Sequence, residues 1–326
     1  MIISRTPLRI SFSGGGSDLK EYYLKYGGCV ISTSINKYVY LSMHPYFYEN
    51  QFLLKYSETE HTSTVNDIKH NLIREVFKEY NIQGVDFNSN ADIPSGGTGL
   101  GSSSAFTAGL ITLCNSYNGI YITKEKIASL ACDIEINRLG EPIGKQDQYA
   151  CAVGGLNFLS FNPDDTVSIE RINLTKENHR QLQNRLLMFY TGITRSAKSI
   201  LSVQRENIIH DQKRITNLHR MVKLTKTLKE ELNAGTIDSM GSILHEGWML
   251  KKEMAADIST SNLDYIYEHA IKYGAEGGKL LGAGGGGFFL FYVKEENQKR
   301  MISSMKNLKK FDFNFENIGS TIIYCD

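Results

Sequence analysis

The sequence predicts a mixed α/β (α+β) protein with two domains, and three observations support this fold class. At 326 residues the chain is long enough for two domains and a substantial core. Near the start of the chain, apolar positions such as Leu8 and Ile10 alternate with polar ones, which is typical of half-buried strands. The second half is instead mainly helical in pattern. We place the boundary within residues 165–185 and expect domains at residues 1–175 and 176–326.

The other elements follow from β-branched and aromatic enrichment in the strands and from apolar periodicity in the helices. In the first half, the predicted strands cover residues 30–43, 51–56, 85–90 and 154–161, and the predicted helices cover residues 19–24, 67–80, 105–111 and 124–137. Thr123 is the predicted N-cap of the last of these helices. In the second half, the predicted helices cover residues 197–209, 212–233, 237–255 and 262–273, and the predicted strands cover residues 185–190, 288–293 and 320–324.

The composition excludes several classes of protein. The chain has 36 basic and 35 acidic residues, whereas nucleic-acid-binding proteins usually carry a basic excess. The five cysteines are scattered without a Cys-x-x-Cys pair, which argues against a disulfide framework or a zinc site. The N-terminus shows no secretory apolar region, and the longest apolar run, residues 288–293, is too short to span a bilayer. We therefore expect a cytoplasmic protein without nucleic-acid or membrane partners.

The rest of the chain is organised around residues 94–105, which we call the glycine loop. Its four glycines allow positive φ angles, and three serines follow at the start of a helix. Such a loop presents N–H groups and the positive end of a helix dipole to phosphate, although it also fits a simple turn before a helix. It is not a Walker loop, because it lacks the lysine. The predicted nucleotide-binding residues are Pro94, Gly96, Gly97, Gly99, Leu100, Gly101, Ser102, Ser103 and Ser104.

Two further sets of residues carry potential chemistry. Arg9 and Asp18 flank residues 14–16, the first glycine cluster, where Asp18 either accepts hydrogen bonds from sugar hydroxyls or caps a helix. Glu135 and Asp147 fit a Mg²⁺ ligand and a general base for an acceptor hydroxyl, respectively. Taken singly, each of these two carboxylates also fits a surface acid.

Residues 282–287 form the third glycine cluster, with a formal Gly-x-Gly-x-x-Gly pattern. A dinucleotide fingerprint requires a strand before this pattern and a helix after it, and here the order is reversed. We therefore reject a Rossmann site. The cluster instead predicts a close backbone approach to the site or to the first glycine cluster, with a flexible connection into a core strand as the alternative.

The three glycine-rich segments, in this order and over nearly the whole chain, resemble the GHMP small-molecule kinases. The resemblance implies a two-domain fold with ATP and the acceptor bound in the interdomain cleft, and ATP-dependent phosphorylation with Mg²⁺. It implies that Ser103 and Glu135 ligate Mg²⁺, that Asp147 is the catalytic aspartate, and that Arg9 keeps Asp147 ionised. The implied acceptor-binding residues are Ser13, Gly15, Gly16, Ser17, Asp18, Asp147 and Gly285.

Two segments refine the resemblance. Where the galactokinase branch carries Gly-Glu-His, this chain carries three glycines, which makes galactose a poor candidate acceptor. The same segment and residues 190–195 resemble the heptose 7-phosphate kinases of the family. This implies transfer of the ATP γ-phosphate to the anomeric hydroxyl of D-glycero-D-manno-heptose 7-phosphate, in GDP-heptose synthesis for bacterial surface polysaccharides. The predicted ligands of the sugar phosphate are Arg195 and Lys198, and Lys37 is a less favoured candidate. The alternative is that these residues are surface charges.

Two other functions fit the same sequence. One is a kinase for another sugar, such as L-fucose, a different heptose phosphate or an N-acyl hexosamine. The other is a sugar-sensing protein that has lost turnover, against which the intact set of Arg9, Ser103, Glu135 and Asp147 argues. The sequence leaves open the anomer of the sugar and the choice between ATP and GTP. It also leaves open the oligomeric state, for which a homodimer is one option.

Overall fold

The computed structural model describes residues 1–94, 96–194 and 197–326, and within these ranges the strands form two sheets, of nine and four strands. The strands are β1 Ile2–Ser13, β2 Gly28–Pro45, β3 Phe52–Lys55, β4 Thr59–Thr62, β5 Val85–Ala91, β6 Leu156–Phe161, β7 Val167–Arg171, β8 Leu186–Tyr190, β9 Ala275–Leu280, β10 Phe288–Val293, β11 Lys309–Lys310, β12 Phe315–Glu316 and β13 Thr321–Cys325. The predicted mixed α/β class is confirmed.

Helices pack against both sheets. They are α1 Lys20–Tyr26, α2 Asn71–Glu79, α3 Ser102–Tyr117, α4 Lys124–Cys132, α5 Gln146–Val153, α6 Lys176–Asn184, α7 Ala197–His210, α8 Gln212–Asn233, α9 Met240–Lys252, α10 Ser261–Lys272 and α11 Glu295–Ser304. Short 3₁₀ turns lie at Val65–Asp67 and Ala256–Ile258, and a π-helical turn at Asp133–Arg138. Among the described helices, none has both the length and the apolar character needed to cross a membrane.

The first sheet has the order β13-β1-β2-β5-β3-β4, with β6 and β12 also paired to β2 and with β7 paired to β6. All of these pairs are antiparallel except β3 with β5. Strand β13 returns from the end of the chain to pair with β1, so that Arg5 lies opposite Thr321. The first sheet therefore contains strands from both predicted domains, and the division at residues 175 and 176 stays a prediction.

Helix α3 places the glycine loop because small residues let the helix approach β1 closely. A Cβ on Gly109 would lie 2.7 Å from the Thr6 Oγ1, and the Ser4 hydroxyl donates a hydrogen bond of 3.0 Å to the Gly109 carbonyl. Ala105 and Ala108 are fully buried on the same helix. Such close packing leaves little freedom for the helix to shift, so the loop before α3 is held against the end of β1.

The second sheet is packed on both faces. Every residue of β10 is buried, and Trp248 of α9 packs edge-on against Phe289 at 5.9 Å between ring centroids. Continuous apolar strands of this kind are typical of a sheet covered on both faces. Helix α9 thereby lies against the second sheet with its end directed at the third glycine cluster, since Lys251 reaches the Gly282 carbonyl.

The structure differs from the predicted elements in a few places. The helix predicted over 124–137 ends at Cys132 and continues as the π-helical turn that carries Glu135, although the Thr123 side chain caps it as predicted. The helix predicted over 67–80 begins only at Asn71. The sequence analysis missed several elements because they are short or weakly periodic, and these are α5, α6, α11, β4, β7, β9, β11 and β12.

Candidate active site

A single cleft, of about 570 Å³, collects the glycine-rich segments. Gly16 and Asp18 contribute from the first glycine cluster and its end, and residues 96–99 and 101–104 contribute from the glycine loop. Residues 282–284 and 286 contribute from the third cluster, together with Leu281 just before it. The cleft continues along helix α7 and, on the far side, along residues 69–72 at the start of α2.

The glycine loop delivers the N-terminus of α3 to the cleft. Gly101 takes a left-handed conformation, with φ 75°, and the first helical residue, Ser102, follows it. No side chain of the described residues caps this end, and the first turn carries no acidic residue. The free N–H groups and the positive end of the dipole of this helix therefore favour an anion at Ser102, Ser103 and Ser104.

Two of the predicted nucleotide-binding residues do not line the cleft. Pro94 is exposed at the edge of the loop, outside the lining residues. Leu100 is fully buried beneath the loop, where its carbonyl accepts a hydrogen bond of 3.0 Å from the Arg9 backbone N–H. Leu100 thus anchors the loop to β1 through its backbone, while the remaining predicted residues of the loop face the cleft.

The third glycine cluster packs directly on the glycine loop. A Cβ on Gly282 would lie 2.4 Å from the Gly99 Cα, and one on Gly287 would lie 2.4 Å from the Thr98 carbonyl oxygen. Two backbones approach this closely only where side chains are absent. The close approach predicted for the third cluster is therefore present, with the glycine loop as its partner and not the first glycine cluster.

Arg9 and Asp147 form a bidentate ion pair at the centre of the cleft. The Arg9 Nε donates to Asp147 Oδ1 at 2.7 Å, and a terminal nitrogen donates to Oδ2 at 2.5 Å. Another terminal nitrogen of Arg9 donates to the Gly99 carbonyl at 2.6 Å. Burial acts to lower the pKa of Arg9, but the Asp147 carboxylate outweighs this effect and raises the pKa. The guanidinium therefore stays charged beside the carboxylate.

Asp18 is buried at the start of α5 and does not cap a helix of its own. Its Oδ1 accepts from the Gly16 N–H at 2.9 Å, and its Oδ2 accepts from the Gln146 N–H at 3.2 Å. Helix α1 has Leu19 as its N-cap residue, which rules out the capping alternative for Asp18. Burial, together with the charge of Asp147, raises the pKa of Asp18. A carboxyl group in this position can accept hydrogen bonds from an acceptor's hydroxyls.

Of the remaining predicted acceptor-binding residues, one lines the cleft and four do not. Lys198 lines the cleft and pairs with Glu141 at 2.6 Å. Ser13 and Ser17 lie outside it, because the Ser13 hydroxyl bonds to Thr225 at 2.8 Å and the Ser17 hydroxyl closes the glycine turn. Residues 15 and 285 are also absent from the lining, and the predicted phosphate ligand at position 195 lies outside the described residues.

Glu135 is a buried carboxylate held by three neutral donors. Ser103, Ser104 and Gln148 donate to it at 3.1, 2.9 and 2.7 Å, respectively. Burial raises the pKa of Glu135 to about 7. No basic side chain of the described residues forms an ion pair with it. A carboxylate so placed, beside the glycine loop and without a basic partner, would be stabilised by a cation.

This donor set fits magnesium. The ion prefers hard oxygen ligands and is commonly held by one or two protein oxygens together with phosphates and water. Ser103 and Glu135 supply such a pair, and no group of three His, Cys, Asp or Glu side chains converges on a metal position within the described ranges. When bound there, magnesium would offset the negative charge of a polyphosphate, as the sequence analysis expected of these two residues.

The sequence analysis missed several polar residues of the cleft, and two of these, Gln204 and Lys251, are deeply buried helical residues. Gln204 of α7 is 2% exposed and lines the cleft, yet its amide has no hydrogen-bond partner among the described residues. Lys251 of α9 is 6% exposed and also lines the cleft. A signal for both was present, since each interrupts a buried apolar stripe: Gln204 lies between Ile200 and Ile208, and Lys251 follows Trp248 by one turn.

Comparison with known proteins agrees with this architecture. Residues 66–155 match the N-terminal domain of the GHMP kinases, and residues 228–310 match their C-terminal domain. The D-glycero-alpha-D-manno-heptose 7-phosphate kinase of Campylobacter jejuni is 30% identical over 98% of this chain and 97% of its own length. A galactokinase of Pyrococcus furiosus is 25% identical over 91% of this chain and 90% of its own. The chain belongs to the GHMP kinase family.

Solved structures share the whole fold. A D-glycero-D-manno-heptose 1-phosphate kinase from Bacteroides thetaiotaomicron superposes with a TM-score of 0.83 over 100% of both chains, at 22% identity. The galactokinase of Lactococcus lactis, solved with galactose, gives a TM-score of 0.77 over 98% of this chain and 94% of its own, at 16% identity. These likenesses confirm the predicted two-domain GHMP kinase fold.

The contact between the two glycine segments predicts that Gly282→Ala weakens nucleotide binding. The new Cβ meets the Gly99 Cα, so the glycine loop must shift, and we expect affinity for Mg-ATP to fall at least about tenfold. Isothermal titration calorimetry measures this. Gly247→Ala is the matched control, because nothing lies within 4 Å of a Cβ there. Equal affinities in the two variants would contradict the importance of the contact.

The raised pKa of Glu135 predicts a pH-dependent loss of stability in the metal-free protein. A carboxyl group whose pKa is about 7 when folded stabilises the fold below its ordinary pKa of about 4.5, and this stabilisation disappears as the pH rises through 7. The loss between pH 5 and pH 8 amounts to about 2–3 kcal/mol. Urea unfolding at both pH values should show it in the wild type but not in Glu135→Gln. Exposed Glu268→Gln controls for the lost charge, and parallel pH curves for the wild type and Glu135→Gln would refute this interpretation.

Proposed function

We propose that the protein is an ATP-dependent sugar-phosphate kinase acting on D-glycero-D-manno-heptose 7-phosphate, with the 1,7-bisphosphate as its product. The observation that carries the proposal is the Arg9–Asp147 ion pair in a cleft that also holds the glycine loop and Asp18. Such a cleft combines an anion-binding helix end, a carboxylate base and an acceptor for hydroxyl hydrogen bonds. The Campylobacter jejuni relative, named for this heptose phosphate, supports the choice of acceptor.

Phosphoryl transfer requires positioning and charge neutralisation more than covalent chemistry by the protein. In the proposed reaction, Asp147 accepts the proton of the anomeric hydroxyl while the hydroxyl oxygen forms a bond to the γ-phosphorus of ATP. The bond from that phosphorus to the bridging oxygen breaks, and ADP leaves with the electron pair. Arg9 orients Asp147 for this step, because its guanidinium binds both carboxylate oxygens.

The nucleotide and the metal would occupy the side of the cleft formed by the glycine loop. The N–H groups at the start of α3 would bind the phosphates, and Ser103 and Glu135 would hold Mg²⁺. Asp18 and Gln204 would contact the hydroxyls of the sugar. The product would feed GDP-heptose synthesis for surface polysaccharides, in the cytoplasm.

The phosphate of the acceptor needs a cationic ligand, and Lys198 is the candidate that the described residues support. It lines the cleft, and its present partner, Glu141, also lies there, so an incoming phosphate would compete for the same ammonium. Lys37 is a weaker candidate, because it lies over the Phe311 ring at 5.1 Å and does not line the cleft. Arg195 remains a candidate from the sequence alone.

Coupled ADP release tests the proposal, with Mg-ATP and a panel of sugars that includes heptose 7-phosphate, free heptose, galactose and L-fucose. Turnover with heptose 7-phosphate, and with neither galactose nor L-fucose, is the expected result. Turnover only with an unphosphorylated sugar would support a sugar kinase but would show that the acceptor carries no phosphate and that no side chain is needed to bind one. Nucleotide binding without turnover on any sugar would favour the sensor instead.

The role of Asp147 predicts that Asp147→Asn lowers kcat by at least about 100-fold while the Kd for Mg-ATP changes less than about threefold. An amide cannot accept the proton, but it has nearly the same shape as the carboxyl group. Steady-state kinetics and calorimetry measure the two quantities. Asp238→Asn is the control, since that side chain is 74% exposed. Near-normal turnover in Asp147→Asn would remove Asp147 from the role of base.

The unpartnered amide of Gln204 predicts a role in acceptor binding. In Gln204→Leu we expect the KM for the acceptor to rise about tenfold, with kcat and the Kd for Mg-ATP nearly unchanged, because a lost hydrogen bond to bound substrate weakens ground state and transition state alike. Gln212→Leu, at an exposed position of α8, is the control. An unchanged KM would show that the acceptor does not reach α7.

A further inference from the structure

Lys251 places a buried ammonium group at the floor of the cleft. It lies near the end of α9, one turn after the fully buried Trp248, and is itself 6% exposed. Its Nζ donates a hydrogen bond to the Gly282 carbonyl in the third glycine cluster. Lysine is rarely this deeply buried unless its charge has a partner.

No carboxylate of the described residues forms an ion pair with Lys251. Asp147 is held by Arg9, and the Asp18 oxygens accept from the backbone at residues 16 and 146. The groups that act on the Lys251 charge are Arg9, Asp18 and Asp147, together with Lys279 behind it on β9. Burial, and then the positive charge of Arg9, lower the pKa of Lys251 to about 8. The ammonium is thus short of a negative partner.

Lys279 does not share this role. It is as buried as Lys251, but it donates to the Phe12 carbonyl at 3.2 Å and does not line the cleft. Burial and the neighbouring Lys251 hold the pKa of Lys279 well below its ordinary value. Of the two lysines, Lys251 is therefore the one that presents charge to a ligand.

The position of Lys251 indicates which ligand it meets. Its partner Gly282 packs on Gly99, and the Gly99 carbonyl in turn accepts from Arg9, which holds Asp147. The ammonium, the guanidinium and the carboxylate base thus surround the junction between the glycine loop and the acceptor side of the cleft. Under the proposed function, this junction is where the γ-phosphoryl group passes from nucleotide to acceptor.

We propose that Lys251 binds the transferring γ-phosphoryl group, exchanging its hydrogen bond with the Gly282 carbonyl for one to a phosphoryl oxygen. The proposal rests on the proposed function for the existence of phosphoryl transfer, but not on the identity of the acceptor. A positive group in a site that excludes water stabilises the charge spread over the phosphoryl oxygens. Lys251 is then a catalytic residue in addition to Arg9 and Asp147.

Nucleotide binding tests the proposal without any acceptor. The variants are Lys251→Met, which keeps the length of the side chain, and Lys251→Arg, which keeps its charge. The control is Lys252→Met, because Lys252 pairs with Asp264 at 3.0 Å and does not line the cleft. Calorimetry compares Mg-ADP with the Mg complex of the β,γ-imido analogue of ATP.

In Lys251→Met we expect at least about tenfold weaker binding of the imido analogue and less than twofold change for ADP, which lacks the γ-phosphate. Lys251→Arg should stay within about threefold of the wild type for both ligands, and Lys252→Met should match the wild type. Equal weakening for both nucleotides in Lys251→Met, or no weakening for either, would overturn the proposal. Circular dichroism and thermal unfolding identify a variant that fails to fold, in which case Lys251→Arg and the pH measurement below decide.

Kinetics with an acceptor found in the sugar panel add a second test. We expect kcat of Lys251→Met to fall at least about 100-fold with little change in the acceptor KM. In the wild type, kcat/KM for Mg-ATP, which reports ionisations of the free enzyme, should fall as the pH rises through about 8, and this fall should move to higher pH in Lys251→Arg. A raised acceptor KM with unchanged kcat would assign Lys251 to the acceptor's own phosphate instead. Failure of every sugar in the panel would refute the proposed function while leaving the calorimetric result to stand.

Discussion

The site depends on one buried side chain, that of Arg9. Its backbone N–H binds the Leu100 carbonyl, its guanidinium binds the Gly99 carbonyl, and its remaining nitrogens bind Asp147. Strand β1, the glycine loop and helix α5 are thereby joined by one residue that is 3% exposed. A buried guanidinium that lost one of these acceptors would carry an uncompensated donor or charge, so the three elements hold a common geometry.

The charges around Arg9 are arranged by burial as much as by pairing. Glu135 and Lys251 lie in the same cleft, each buried and each without a partner of opposite charge in an ion pair among the described residues. Burial raises the pKa of Glu135 to about 7 and lowers the pKa of Lys251 to about 8, so each pKa lies closer to neutrality than usual. Buried groups with shifted pKa values are common at functional sites, and the charge of such a group responds strongly to a bound cation or anion.

Much of this arrangement could be predicted from the sequence, because the signals are local. The glycine loop and the alternation in β1 are each recognisable within a few residues, whereas the carboxylates at positions 135 and 147 gain their predicted roles only in combination and through the resemblance to one family. The structure brings these segments into one cleft. By contrast, Ser13 and Ser17 were expected to bind the acceptor, and only the packing of α8 and the turn shows that their hydroxyls are used internally.

Gln204 and Lys251 were missed for the opposite reason. Each lies on the buried face of a helix, and a periodic pattern does not tell whether that face meets an apolar core or a cleft. The π-helical turn at Asp133–Arg138 was likewise not predicted, since it depends on how α4 meets the rest of the fold. Such features depend on contacts between distant parts of the chain, and the secondary-structure propensities of single residues do not contain this information.

Strand β13 delays the completion of the site while the chain folds. Thr6 beside it on β1 shares a hydrogen bond of 2.8 Å with Ser320, a residue 314 positions later, and Ser320 also bonds to Thr112 of α3 at 2.6 Å. The strand that carries Arg9 and the helix behind the glycine loop therefore acquire their last shared contacts only when residues 320–325 emerge from the ribosome. Pairing over so long a separation forms slowly, so β1 keeps an open edge until residues 321–325 pair with it, and the packing around the site is completed late in folding.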